Sequence, residues 1–335
     1  MLEIEIGALS LRTVDGWERK PAHIQHLDVA GVSTDSHDNV YVLGRLDSRV
    51  TVYDRAGTYL RDWGYGSLSV RPHSIVIGPD DTALVVDETK QQIGRYTLAG
   101  EPLGTIGSGE RSDTGYSPEG GMFDRLNSIT HSAGPFNFPT GVAVGPHGDL
   151  YVTDGYGNAR VHRFDSNGTL LGSWGEPGVD AGQFRLPHHI IIDSRGALLV
   201  ADRENERVQV FDLDGELQAT WDGVQRPTGL AMLANGNVLV AHLGWVAGEV
   251  TSSGDTIGTR VPAALSLYTP DGVTISRWVE TGDGSGPGAV LAPHAIAVDS
   301  HDSIYVGDVP HSFMKRRGTF RSDFNTLQKF EIQPQ

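Results

Sequence analysis

Residues 139–168 and 187–215 follow one pattern. Pro139-Thr140-Gly141-Val142-Ala143-Val144 leads through a Gly-Pro-His-Gly turn to Leu150–Asp154, then to Asn158-Ala159-Arg160-Val161 and a third apolar stretch. Pro187–Ile192, Leu198–Asp202 and Asn205-Glu206-Arg207-Val208 fill the same places in the second copy. Short apolar runs separated by turn residues predict antiparallel strands in sequence order. A unit of this size cannot bury its apolar face alone, so copies must stack. Further copies begin near Gly31, Pro72, Pro227 and Pro293, giving six. A fourth strand is predicted in five of them, at Tyr59–Trp63, Leu103–Ile106, Leu170–Trp174, Leu217–Trp221 and Thr274–Trp278. The sixth has none after Leu327–Ile332, whereas the alternating segment Leu2–Leu11 has no unit of its own. Leu2–Leu11 is therefore expected to be the outermost strand of the last unit, closing a ring without free edges. The predicted architecture is all-β: a single six-bladed β-propeller domain spanning residues 1–335. No sustained helical period supports a Rossmann-like or barrel alternative.

Composition narrows the chemistry. The chain has no cysteine, which excludes disulfides, thiolate metal sites and a cysteine nucleophile, and leaves His, Asp and Glu as metal ligands. A formal net charge of −16 opposes binding to nucleic acid or to anionic membranes. There is no apolar run long enough for a membrane helix, and the first residues lack a basic region followed by an apolar block. The expectation is a cytoplasmic location, with a small anionic or acylated molecule as the partner.

Most recurrent large residues need no functional explanation. Trp63, Trp174, Trp221 and Trp278 share one fourth-strand position and are expected to pack between blades. Asp87, Asp154, Asp202 and Asp308 end second strands, where an Asp side chain commonly ties its own turn. Three stretches break the repeat: Gly107–Phe138, Leu243–Pro262 and Val309–Asn325. Long insertions in a compact ring are expected to act as lids or binding loops.

Three of the six innermost strands open with Pro-His: Pro72-His73, Pro187-His188 and Pro293-His294, in units two, four and six. Equivalent positions on alternate blades lie about 120° apart around the axis, so these imidazoles should converge. Units three and five carry Pro139-Thr140 and Pro227-Thr228, so the turn itself does not demand histidine. Three neutral imidazoles fit a catalytic zinc site, and the set would also accept another divalent metal. His189 should point to the opposite side of its strand and is excluded as a ligand.

Arg45 and Arg203 occupy one repeat position, just after the second strand, and Tyr156 lies beside its counterpart in unit three. They differ from Arg49, Arg160 and Arg207, which belong to the repeat pattern and are expected to serve the blades. Two guanidiniums and a phenol beside a metal suit an anionic substrate and a proton transfer. No organic cofactor is needed for such chemistry.

These residues resemble the lyase half of peptidylglycine α-amidating enzymes, an NHL-repeat six-bladed propeller. The resemblance runs from about Gly31 to Phe330. It is most specific in Asp154-Gly155-Tyr156-Gly157-Asn158-Ala159-Arg160, in Leu186-Pro187-His188 and in Ala201-Asp202-Arg203-Glu204-Asn205-Glu206-Arg207. It implies that His73, His188 and His294 bind catalytic zinc, that Tyr156 is the base, and that Arg45 and Arg203 line the site. The implied reaction is cleavage of the C–N bond of a peptidyl α-hydroxyglycine to a peptide amide and glyoxylate. Some positions depart from the family. Gly157 stands where a Cys is usual, and Ala295 stands where the family's structural calcium takes an Asp, so a calcium site is not carried over. The 335 residues include no counterpart of the family's monooxygenase half, so nothing in them is expected to make an α-hydroxyglycine, and the long insertions leave the acyl group of the substrate open. Two rival readings remain at this level: a hydrolase or hydratase using the same metal, and an NHL-repeat ring that only binds partner proteins.

Overall fold

The computed structural model describes residues 3–6, 9–280, 282, 284–315 and 324–333. Six antiparallel sheets are arranged as a six-bladed β-propeller. Blades 1 to 5 each have four strands: Asp28–Trp63, Pro72–Ile106, Pro139–Trp174, Pro187–Asp222 and Pro227–Val279. The innermost strands touch in sequence around the axis, and that of blade 6, Pro293–Val298, touches that of blade 1, Asp28–Thr34.

Blade 6 closes the ring differently in detail from the sequence expectation. Leu9–Thr13 pairs with Leu327–Ile332, with Leu11 opposite Ile332 and Thr13 opposite Phe330. Glu3–Ile6 then pairs back on Leu9–Thr13, adding a fifth strand. The segment Leu2–Leu11 is thus two strands rather than one, and Leu2, Gly7 and Ala8 lie outside the described residues.

Each core lies between neighbouring blades. Tyr41, Val50 and Trp63 of blade 1 pack with Ile75, Ala83 and Val85 of blade 2. At the closing seam Trp17 fills the gap between blades 6 and 1, its ring centroid 5.5 Å from that of Tyr53 and 5.2 Å from that of Tyr305. The recurrent tryptophans pack between blades as expected: Trp63, Trp174 and Trp221 lie against the turns at Gly100, Gly215 and Gly272 of the next blade, and Trp278 packs against the core between blades 5 and 6. Gly272, at φ +80°, lies so close to Trp221 that an added Cβ would be 2.2 Å from the ring, so both the conformation and the contact require glycine there.

The recurrent aspartates reach further than their own turns. Asp154 accepts the backbone N–H of Asn137, and Asp202 that of Arg185. Asp308 accepts those of Leu291 and Ala292. These donors lie on the segments leading into innermost strands, so each aspartate fixes the strand that carries the Pro-His or Pro-Thr pair. Among the described residues no helix is long and apolar enough to cross a membrane.

Candidate metal centre and the mouth of the ring

A local irregularity aims the three histidines. Every innermost strand has a β-bulge at its second or third residue: the register shifts between Val29 and Gly31, Pro72 and Ser74, Pro139 and Gly141, Pro187 and His189, Pro227 and Gly229, and Pro293 and Ala295. A bulge leaves its extra residue out of the ladder and turns that side chain. The extra residues are Ala30, His73, Thr140, His188, Thr228 and His294. His73, His188 and His294 therefore face the axis, with ring centroids 4.7 Å apart in all three pairs. One ligand atom from each lies within 4.8 Å of the others.

The far side of each ring is held by the next blade. Nδ1 of His73 is 2.6 Å from the carbonyl oxygen of Thr140, Nδ1 of His188 is 2.8 Å from that of Thr228, and Nδ1 of His294 is 2.8 Å from that of Ala30. A carbonyl only accepts, so each Nδ1 carries the hydrogen and each Nε2 presents a lone pair. Burial pushes all three well below the usual histidine range, and positive neighbours push the same way: Arg45 for His73 and His294, Arg203 for His188. Nε2 of His73 is buried without a hydrogen-bond partner. Neutral imidazoles, Nε2 atoms converging on one point and a buried unpaired acceptor fit a divalent metal, and the carbonyl partners are the orienting contacts that ligand histidines need. His189 points elsewhere, its Nδ1 accepting the Leu230 N–H at 3.3 Å.

The remaining residues selected from the sequence gather at the same point. Arg45 is 2% exposed, and its Nη2 donates to Nε2 of His294 at 3.3 Å. The Tyr156 hydroxyl lies 3.4 Å from Nε2 of His188 and accepts from Nη1 of Arg203 at 3.2 Å. Sequence reasoning missed the bracket behind Arg203. Glu204 accepts from Nε of Arg203 at 2.7 Å and from Nη2 of Arg226 at 2.9 Å. Burial alone would raise the Glu204 carboxyl, but the two guanidiniums outweigh it and hold it below its ordinary value. Arg226 lies in turn 3.8 Å from the ring centroid of Trp245. The only sequence signal for this bracket was Glu204 following Arg203 within the repeat.

All three insertions reach the mouth. The first carries helix α1 (Met122–Asn127), and the third carries helix α2 (Pro310–Lys315); residues 316–323 of the third lie outside the described residues. Phe123 of α1 stacks on Trp245 of the second insertion, with centroids 5.7 Å apart. Two cavities flank α1 and share Met122 and Tyr156. One, of about 590 Å³, includes Arg71 and Glu88, which form a 2.6 Å ion pair. The other, of about 560 Å³, is walled by Phe123, Leu243, Val250 and Phe313 and opens on Arg203 and His294.

The fold and this centre define a six-bladed propeller with a buried tri-histidine cluster at one mouth of its axis. Comparison with known proteins agrees with the repeat architecture. The family pattern described as NHL repeat matches residues 136–164 and 184–211. Peptidyl-glycine alpha-amidating monooxygenase B of Xenopus laevis is 26% identical over 340 residues, covering 91% of this chain and 35% of that protein. NHL repeat-containing protein 3 of Homo sapiens is 27% identical over 241 residues, covering 67% of this chain and 64% of that protein. Peptidyl-alpha-hydroxyglycine alpha-amidating lyase 2 of Drosophila melanogaster is 27% identical over 286 residues, covering 83% of this chain and 63% of that protein. The chain thus spans about a third of the amphibian protein and just under two thirds of the other two. Its homologues include peptidyl-α-hydroxyglycine α-amidating lyases and NHL-repeat proteins, as the resemblance in its motifs implied.

Proposed function

We propose that the protein is a metal-dependent lyase that cleaves the C–N bond of an N-acyl-α-hydroxyglycine or a related carbinolamide, giving an amide and an aldehyde such as glyoxylate. The observation that carries this reading is the meeting of Arg45, Tyr156 and Arg203 at the Nε2 side of the three histidines. His73, His188 and His294 would hold the metal, with zinc the best match to three neutral imidazoles. The metal would supply Lewis acidity toward an oxygen of the substrate.

The protein's own groups account for the rest. In R-CO-NH-CH(OH)-COO⁻ the hydroxyl must lose a proton, its O–H electron pair becomes the new C=O bond, and the C–N pair leaves with nitrogen, which must gain a proton. Tyr156 as phenolate accepts the first proton and returns it to the departing nitrogen. Arg203 donates to that phenol oxygen and so places positive charge where the phenolate's charge sits. Arg45 and Arg203 hold the carboxylate, and the Glu204 bracket keeps Arg203 from swinging away. The cavity beside Arg203, with Phe123, Leu243, Val250 and Phe313 in its wall, takes the acyl group. No water is consumed, and the atoms of the substrate are divided between amide and aldehyde.

The test is α-hydroxyhippurate with zinc-loaded protein. The expected products are benzamide and glyoxylate in equal amounts. A carboxylic acid formed at the expense of water would support a hydrolase instead, and no turnover of any carbinolamide would remove the lyase reading.

A further inference from the structure

The six bulge residues alternate in character around the axis. Even blades carry His73, His188 and His294, and odd blades carry Ala30, Thr140 and Thr228. The two threonines have a second task. Their hydroxyls donate to the carbonyl oxygens of Pro187 and Pro293, both at 2.7 Å, and so tie blades 3 and 5 to the residue just ahead of the next histidine. The third acceptor of this kind is the Pro72 carbonyl, just ahead of His73. The residue placed to donate to it is Ala30, which has no hydroxyl. Nε of Arg45 donates instead, at 3.3 Å.

The exchange is matched within each odd blade. Where the bulge residue is Thr140 or Thr228, the position in register with Arg45 is Gly155 or Leu243, neither of which has a side-chain donor. Where it is Ala30, that position is Arg45. The carboxylate nearest in register, Asp28 opposite Arg45, already accepts from the Ser312 N–H and hydroxyl and from the His311 N–H. A guanidinium buried this deeply needs acceptors, and the Pro72 carbonyl is one that the rest of the ring leaves for it.

We propose that Ala30 is a positioning residue for Arg45: by carrying no hydroxyl it leaves the Pro72 carbonyl to the guanidinium, which seats Arg45 against His294 at the mouth. The consequence for substrate rests on the proposed function, whereas the exchange of donors is a property of the ring itself. Ala30 keeps its other task in any variant, because Nδ1 of His294 bonds to the Ala30 backbone carbonyl.

Ala30→Thr restores the odd-blade pattern and tests this directly, with Ala30→Ser as the smaller change should the larger one impair folding. A crystal structure of the variant should show the new hydroxyl on the Pro72 carbonyl and Arg45 withdrawn from both Pro72 and His294. Calorimetry with hippurate as probe should show affinity weakened on the order of tenfold, the loss expected for one charge-assisted hydrogen bond. Zinc content should stay at the wild-type level. With α-hydroxyhippurate, KM should rise more than kcat falls, which lost folding would not produce. Arg45 still within hydrogen-bond distance of Pro72 in the variant would overturn the proposal, as would unchanged hippurate affinity where the wild type turns over α-hydroxyhippurate. Withdrawal of Arg45 in a protein whose wild type turns over no carbinolamide would uphold it while removing the lyase reading.

Discussion

Nη1 of Arg203 donates to the hydroxyl oxygen of Tyr156 at 3.2 Å, and the guanidinium carbon lies 5.5 Å from the centre of the same ring. The two residues come from different blades, and each is held from behind, Arg203 by Glu204 and Tyr156 by its packing with Leu126 and Leu186. Such a pair is set before substrate arrives. Tyr156→Phe keeps the ring and removes the proton acceptor. It should lower kcat by about 10² to 10⁴-fold with KM changed little. Steady-state kinetics on α-hydroxyhippurate measure both, and wild-type kcat would remove Tyr156 from the chemistry.

Metal content gives the most direct test of the centre. Purified protein should contain one transition metal per chain, most of it zinc after zinc loading, and His188→Ala should lose it. Chelation should lower Tm, since a ligand that binds only the folded chain stabilises it by mass action. Elemental analysis and a thermal scan with and without chelator decide the matter. Full occupancy in His188→Ala would exclude that imidazole as a ligand.

The six-fold architecture could be read because the repeat states it six times, and the three histidines because each follows Pro at the start of an innermost strand. The features that were missed have no such redundancy. The bulges that turn His73, His188 and His294 to the axis leave no mark in residue type, as Ala30, Thr140 and Thr228 occupy the same bulges. Trp17 was overlooked because it follows the closing strand instead of lying in it, although it fills the seam between Tyr53 and Tyr305. The Glu204–Arg226 bracket joins residues from two blades, and no local pattern announces such a pair.

Ring closure can be weighed at Leu11, which is fully buried and packs with Phe330 and Val306 of the same blade and with Leu265 of blade 5. Leu11→Ala should cost about 2 to 5 kcal/mol, the usual range for a leucine removed from a tight core. Removing residues 1–13 should do more, since it also exposes the edge of Leu327–Ile332. Denaturant unfolding measures both, and a truncated protein as stable as the full chain would refute closure by this strand.

Glu18 joins the same N-terminal arm to blade 1 and gives a pH dependence with a definite sign. Burial raises its pKa, but the hydrogen bond and charge of His26, the charge of Lys20 and the hydrogen bond from Tyr53 prevail and lower it from 4.5 to about 2. Its Oε1 lies 3.0 Å from Nε2 of His26 and 2.7 Å from the Tyr53 hydroxyl. A carboxylate whose folded pKa lies below its unfolded value contributes stability that is complete above pH 4.5 and is lost as the pH falls toward 2. Glu18→Gln should therefore be less stable than wild type at pH 7, by about 3 kcal/mol at most, and should differ less from it as the pH falls. Urea unfolding at a series of pH values shows this, and a constant difference would contradict it.

The shape of the mouth predicts which acyl groups are preferred. The cavity of about 560 Å³ that opens on Arg203 and His294 takes its walls from all three insertions, with Phe123 from the first, Val250 from the second and Phe313 from the third. These side chains are apolar and stand among the polar Asp124, Asn127, Glu249 and Thr251, while Arg203 and Arg226 supply the positive charge, so a substrate is oriented with its carboxylate at the arginines and its acyl chain against the apolar side chains. Within a series of N-acyl-α-hydroxyglycines, kcat/KM should rise about fourfold for each methylene added beyond acetyl, the gain for burying one such group, until the cavity is filled. Phe123→Ser opens the wall and should flatten that rise while leaving the acetyl compound unaffected. Binding of the unreactive N-acylglycines, followed by calorimetry, should show the same trend without turnover. An acetyl compound processed as well as its longer homologues would mean that the acyl group lies outside this cavity, and the other one, beside Arg71 and Glu88, would become its place.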